Sequence, residues 1–127
     1  MQRRDINAAD APAPAGQYTQ AVEVTGTTRT LYVSGQVGVA ADGSIPENAE
    51  AQSALAWRNL QPQLLAASMR IENLAKITTI VCNPADIAAV RAGRASVLGE
   101  HRPASTLIVG GLANPAWKVE VEGIAVA

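Results

Sequence analysis

Residues Arg102–Glu122, RPASTLIVGGLANPAWKVEVE, hold two stretches of strand chemistry on either side of a turn signal. Thr106-Leu107-Ile108-Val109 is apolar and β-branched and is closed by Gly110-Gly111. Trp117-Lys118-Val119-Glu120-Val121-Glu122 alternates, with Asn114-Pro115 punctuating the segment between the two. The spacing predicts two strands joined as a hairpin. In the second, Val119 and Val121 share one face and Glu120 and Glu122 the other. The strand runs on through Ile124-Ala125-Val126, which puts Ile124 and Val126 on the carboxylate face. Two readings of that face stay open: a carboxylate pointing into a cleft or interface, or two glutamates on a wet edge.

Working outward, Ile87 to Leu98 reads as a helix with Val90 and Val97 on one side and Arg91 and Arg94 on a neighbouring one. Asn83-Pro84-Ala85-Asp86 starts it and Gly99 stops it. Leu74 to Cys82 is predicted as a strand. Ile77, Thr79 and Val81 alternate with Thr78, Ile80 and Cys82, and neither row carries a charge, so the strand is expected to be central and covered on both sides. Asn48 to Met69 is the longest helical stretch, with Trp57, Leu60, Leu64 and Ala67 on one face. Pro62 is expected to kink it near Arg58–Asn59 or to split it in two. Asp42-Gly43 marks a turn before it. Upstream, Tyr18–Val24 and Thr30–Gly35 are predicted as paired strands turning at Gly26, with Gln36 to Val39 continuing beyond a glycine bend. Residues 1–16, with Pro12 and Pro14, read as an irregular N-terminal arm, with a short edge strand at its end as the alternative. The order expected is β-β-α-β-α-β-β, an α+β class, with residues 1–127 as a single domain.

The totals set limits. A chain of 127 residues suits one core. Nearly half its residues are apolar and its formal charge is −1. That balance gives no basic footprint for nucleic acid, and the absence of Phe with few Tyr and Trp argues against a base-stacking platform. No stretch approaches the roughly 20 apolar residues of a membrane span. No apolar run follows the opening Met1-Gln2-Arg3-Arg4-Asp5, so no signal peptide is read there and a cytoplasmic setting is expected. Cys82 and His101 are the only residues of their kinds. They exclude a disulfide and a thiolate or His-rich metal site, and any Ser-His-Asp triad would run through His101. No metal and no cofactor is expected. Helices on one face of a mixed sheet leave the other face open, and the chain is too apolar for that face to stay wet. An oligomer packing sheet faces together would cover it.

Several stretches, in order, carry a resemblance. Gly16-Gln17-Tyr18-Thr19-Gln20-Ala21-Val22, Leu31-Tyr32-Val33-Ser34-Gly35-Gln36, Asp42-Gly43, Gln52 with Asn59-Leu60, Pro103-Ala104, and Val119-Glu120-Val121-Glu122-Gly123-Ile124-Ala125 resemble successive motifs of the Rid family. These are the reactive-intermediate deaminases, also called YjgF-like or L-PSP endoribonuclease-like proteins. The resemblance implies a chorismate-mutase-like α+β fold and a homotrimer with a barrel-like core and ligand clefts between subunits. It also implies a small-molecule metabolite as ligand, a carboxylate being one candidate. In archetypal members an Arg in a P-A-R-S segment grips a substrate carboxylate. A Glu of the last strand holds the water that hydrolyses an enamine or imine to a keto acid and ammonia. A guanidinium fork suits the first task and a carboxylate the second.

The sequence departs from that pattern where it matters most. Ser105 stands in the place of the Arg, Arg91 where archetypes often carry Asn, and Leu107 where many carry Cys. Glu120 and Ser105 are therefore the candidate catalytic residues. Glu120 would hold water, and Ser105 would act as a neutral donor, because no positioned base makes it a nucleophile. Tyr18, Ser34, Gly35, Arg91, Thr106 and Leu107 are the candidate binding residues. Each has a plain alternative: a packed hairpin aromatic for Tyr18, a bulge for Ser34-Gly35, loop ends for Ser105 and Thr106, a solvated helical Arg for Arg91. His101 reads as a loop residue at an interface and Cys82 as an inert apolar residue in a covered strand. Two functions follow, an enamine/imine hydrolase with altered substrate or a non-catalytic metabolite-binding trimer. Ribonuclease activity rests only on a family label.

Overall fold

The computed structural model describes all 127 residues. The chain folds as β1 (Gln2–Ile6), β2 (Ala21–Thr25), β3 (Thr30–Val37), α1 (Ala49–Ala66), β4 (Leu74–Val81), α2 (Ile87–Leu98), β5 (Ala104–Val109) and β6 (Val119–Val126). It is an α+β fold with two helices on one face of a four-stranded mixed sheet. The sheet order is β3-β6-β4-β5, and a separate hairpin pairs β1 with β2. Strands β3 and β6 run antiparallel, as do β4 and β6, while β4 and β5 run parallel.

The helical periodicity decides the core. In α1, Trp57, Leu60 and Leu64 are buried along one stripe and meet Ile77, Val81, Val119, Val121 and Ala125 of the sheet. Asn48 caps the helix by accepting from the Ala51 N–H at 2.7 Å. Of the two outcomes expected of Pro62, a split into two helices does not occur; α1 is continuous. Pro62 and Arg58 both lie on its exposed side, where water can take up the carbonyl that proline leaves without a donor. α2 packs on α1 at Gly93, which is buried. A Cβ there would stand 2.4 Å from the Glu50 carbonyl oxygen and 2.7 Å from Ser53 Cβ. Beside it the Ser53 hydroxyl donates to the Val90 carbonyl at 2.7 Å. The absence of a side chain at residue 93 therefore sets the helix–helix distance.

Strand pairing differs from the sequence expectation in three places. The segment 106–122 is not a hairpin, because β5 and β6 lie on opposite sides of β4. β4-α2-β5 is a crossover unit that puts its parallel strands side by side, and residues 110–118 carry the chain across to the far side of β4. β2 does not pair with β3. The C-terminus runs beside the entry to β3, with Ala127 O accepting from the Thr28 and Arg29 N–H groups and Ala127 N donating to Arg29 O, so β3 pairs with β6. β2 pairs instead with β1, a strand inside the arm expected to be irregular. Its residues, Gln-Arg-Arg-Asp-Ile, carry three charges and no strand-like alternation.

β4 is central, as expected, but not covered on both sides. Ile77, Thr79 and Val81 are buried under the helices. The other row, Lys76, Thr78 and Ile80, is only half-buried and carries a charge that the expectation of an uncharged strand left out. This second sheet face is open. On it Tyr32 is 75% exposed and Ile108 47% exposed. The turn at Asp42-Gly43 forms, with Gly43 at φ +87°. The Ser44 hydroxyl and N–H both donate to Asp42 Oδ1, which holds that carboxyl below its ordinary range.

Candidate functional site

The β3 ladder breaks where the resemblance places a ligand contact. Val33 is opposite Gly123 and Gln36 is opposite Val121, so Ser34 and Gly35 together face the single residue Glu122. This is a β-bulge, the usual device for re-aiming a strand beside a site. Gln36 folds back to donate its amide to the Ser34 carbonyl at 3.1 Å. Glu120 stands opposite Val37 and Ile80 on the open face. Its carboxylate lies across Gly35: a Cβ built at residue 35 would meet Glu120 Oε2 at 2.5 Å and Cδ at 2.7 Å. Glycine is therefore what lets the carboxylate rest against the bulge, and Ser34, Gly35 and Glu120 form one cluster.

Two side-chain amides, one buried and one half-buried, support this arrangement. Asn59 of α1 donates to the Val37 and Val39 carbonyls, both at 2.9 Å, and so fixes the chain just after the bulge. Gln52 donates to Pro46 O and Ala116 O and accepts from the Lys118 N–H at 2.8 Å. All its polar atoms are satisfied, and it tethers the entry to β6 two residues before Glu120.

A second cluster lies at the far edge of the sheet. Thr19 forms a parallel bridge with Ala104, and its N–H donates to Pro103 O at 3.1 Å, which brings Tyr18 beside the start of β5. The Tyr18 hydroxyl accepts from the Ala15 N–H at 3.2 Å, and the residue is half-buried. Along β5 the side chains alternate. Ser105 is in register with the buried Ile77, on the helix side, and Leu107 packs against the core. Thr106 is in register with Thr78 on the open face, where its hydroxyl accepts from Lys76 Nζ at 2.6 Å. Ser105 and Leu107 therefore point away from the face that carries Thr106.

Helix α2 carries Arg91, exposed, and Arg94, half-buried. Burial, and then the neighbouring Arg91 charge, push the Arg94 guanidinium down from its ordinary value. The chain's ion pairs are Arg3–Asp5 and Arg4–Glu23, so neither α2 arginine has the carboxylate partner that Asp86 or Glu100 would supply.

Within one chain the structure thus gathers Ser34, Gly35 and Glu120 at one edge, and Tyr18, Ser105 and Thr106 at the other. β3 and β5 are the two edges of the four-stranded sheet, three inter-strand spacings or about 14 Å apart. Sequence reasoning missed Lys76, whose signal was the one charge in an otherwise apolar and hydroxyl-bearing strand. His101 is not at the Glu120 cluster; its Nε2 donates to Leu74 O at 2.8 Å. Cys82 falls just beyond β4 and is exposed, not covered, with its thiol donating to Trp117 O at 3.2 Å.

Comparison with known proteins agrees with this architecture. The pattern of the family described as Endoribonuclease L-PSP matches residues 8–127. A 2-iminobutanoate/2-iminopropanoate deaminase of Capra hircus is 32% identical over 126 residues, 98% of this chain and 90% of the goat protein. A RutC family protein of Aquifex aeolicus is 35% identical over 79 residues, 61% of either chain. The crystal structure of a Rid-family protein of unknown function from Yersinia pestis superposes with a TM-score of 0.84. That match has 30% identity and covers all of both chains.

Proposed function

The chain belongs to the endoribonuclease L-PSP family, the Rid proteins, and from that premise we propose a homotrimer whose ligand clefts form between copies. Each cleft takes Ser34, Gly35 and Glu120 from one subunit and Tyr18, Arg91, Ser105 and Leu107 from the next, with Thr106 on the opposite face of the same edge strand. The observation that carries this reading is the separation of the two clusters onto opposite sheet edges, beside an open sheet face on which Tyr32 and Ile108 are exposed. Contacts around three copies bring the clusters together at each seam and turn that face inward, against the faces of the other two.

The chemistry that suits such a cleft is hydrolysis of an enamine or imine. Glu120 accepts a proton from water as the oxygen attacks the C=N carbon. That proton passes to nitrogen to give a carbinolamine; the hydroxyl proton then moves to the amine as the C–N bond breaks and C=O forms, and a carbonyl compound and ammonia leave. In this reading the Gly35 N–H, at the bulge and with no side chain of its own in the way, is the donor for a ligand oxygen. The deaminases among the relatives are named for small 2-imino acids. Here Ser105 replaces the charged fork such a carboxylate needs, so the substrate class is altered and simple 2-imino acids are poor substrates. The same replacement favours one second reading, a trimer that binds a metabolite without turning it over.

If a carboxylate is still bound, its positive partner comes from α2. Arg91 is the free guanidinium, with Arg94 reinforcing it from a half-buried position without an ion-pair partner. The expected result is that Arg91→Ala weakens binding of a small keto acid by ~1.5–3 kcal/mol, the range for a charged hydrogen bond. Titration calorimetry on parent and variant measures it. Equal affinities would mean that Arg91 is only a surface residue and that the cleft is built for a neutral ligand.

A further inference from the structure

The stretch between α2 and β5, Gly99 to Pro103, has no regular structure of its own. It nevertheless has nearly every carbonyl occupied, and the donors come from the N-terminal segment. Gln17 Nε2 donates to the Gly99 carbonyl and, more distantly, to that of His101 at 3.5 Å. Arg3 Nη2 donates to Arg102 O at 3.3 Å, and the Thr19 N–H to Pro103 O. Only the Glu100 carbonyl is left out. Arg3 reaches further: its Nη1 donates to Leu74 O at 3.0 Å and Glu72 O at 3.4 Å, while its Nε pairs with Asp5 at 3.1 Å. Leu74 O is also the acceptor for His101 Nε2. One guanidinium therefore ties β1, the entry to β4 and the entry to β5 together.

We propose that Gln17 and Arg3 are positioning residues that fix the Ser105–Thr106 edge against Tyr18. The proposal rests on the reading above that these residues border the cleft. β5 is an edge strand with a ladder on one side only, and Gly99, at φ +61°, gives its lead-in a permissive joint. Without the side-chain donors only the Thr19 backbone bond would hold the segment to the N-terminal stretch ahead of the β4 ladder, and a displacement of about 1 Å at a reacting site is costly. Neither donor touches the ligand; each acts through backbone carbonyls. Gln17 is suited to this role by its chemistry, since an amide N–H₂ can serve two carbonyls at once.

Substitution by an isosteric acceptor separates donation from mere packing. Gln17→Glu keeps size but sets a carboxylate against two carbonyl oxygens, whereas Gln17→Ala only deletes the donor. The measurement is amide hydrogen exchange, read in Gly99–Thr106 and in the core strands β4 and β6. The expected order of exchange in Gly99–Thr106 is Glu fastest, at least tenfold above parent, then Ala, with Arg3→Ala also raised and β6 unchanged in all. If Gln17→Glu does not fold, Gln17→Met, which retains length without a donor, is expected to match Ala. Unchanged exchange in Gly99–Thr106, or Ala faster than Glu or than Met, would overturn the proposal. Exchange is read without ligand, so failure of the cleft reading in calorimetry and failure of this clamp are separate outcomes.

Discussion

Ser105→Arg is expected to raise hydrolysis of simple 2-imino acids from background by roughly 30- to 1,000-fold, the equivalent of ~2–4 kcal/mol for a charged hydrogen bond to the transition state. The substitution restores the guanidinium that the P-A-R-S resemblance associates with carboxylate binding. It does so on an edge strand, at a half-exposed position. A coupled assay with an amino-acid oxidase generating the imine, with ammonia release as readout, compares parent and variant. The increase should depend on Glu120. In the Ser105→Arg background, Glu120→Gln is expected to remove it, since an amide of the same shape cannot take a proton from water; losses of about 10²–10⁴-fold are typical of such a group. A Ser105→Arg variant that binds keto acids more tightly yet releases ammonia no faster than the parent would mean that Glu120 does not activate water.

The largest effect on stability is expected at Gly93. Gly93→Val should destabilise the fold by about 3 kcal/mol or more, at the upper end of overpacking costs, read as a lower urea midpoint with an unchanged slope. The new Cβ would lie 2.4 Å from a backbone oxygen of α1, not from the tip of a flexible side chain, so a helix must move. That movement would also strain the Ser53 hydroxyl bond to Val90 O. Against a typical domain stability of roughly 5–15 kcal/mol, such a cost is a large share of the whole. A midpoint equal to the parent's would show that the two helices are not held at the distance described.

Both predictions rest on features that were unequally legible in the sequence. The 3.6-residue spacing of Trp57, Leu60 and Leu64, and the alternation of Ile77, Thr79 and Val81, located α1 and β4 because burial writes its period directly into residue type. Pairing was not legible. Thr106–Val109 and Val119–Val126 announce strands, and Gly110-Gly111 with Asn114-Pro115 announces a break. Nothing local records that β4 lies between the two strands. Strand β1 escaped because a hairpin outside the main sheet needs no apolar row. At the site, the bulge was signalled by Ser34-Gly35. The resting of the Glu120 carboxylate on Gly35 joins residues far apart in the chain and could be seen only in three dimensions. The motifs named Tyr18, Gly35, Ser105 and Glu120 together but did not say that one chain would split them between two sheet edges.

That split is the centre of the account, and the mass of the protein in solution tests it most directly. Light scattering coupled to size exclusion at micromolar concentration is expected to give about three times the 13.1 kDa of one chain. A particle of a single chain's mass would leave Glu120 and Ser105 about 10 Å or more apart across the sheet, with no shared cleft, and would contradict the account.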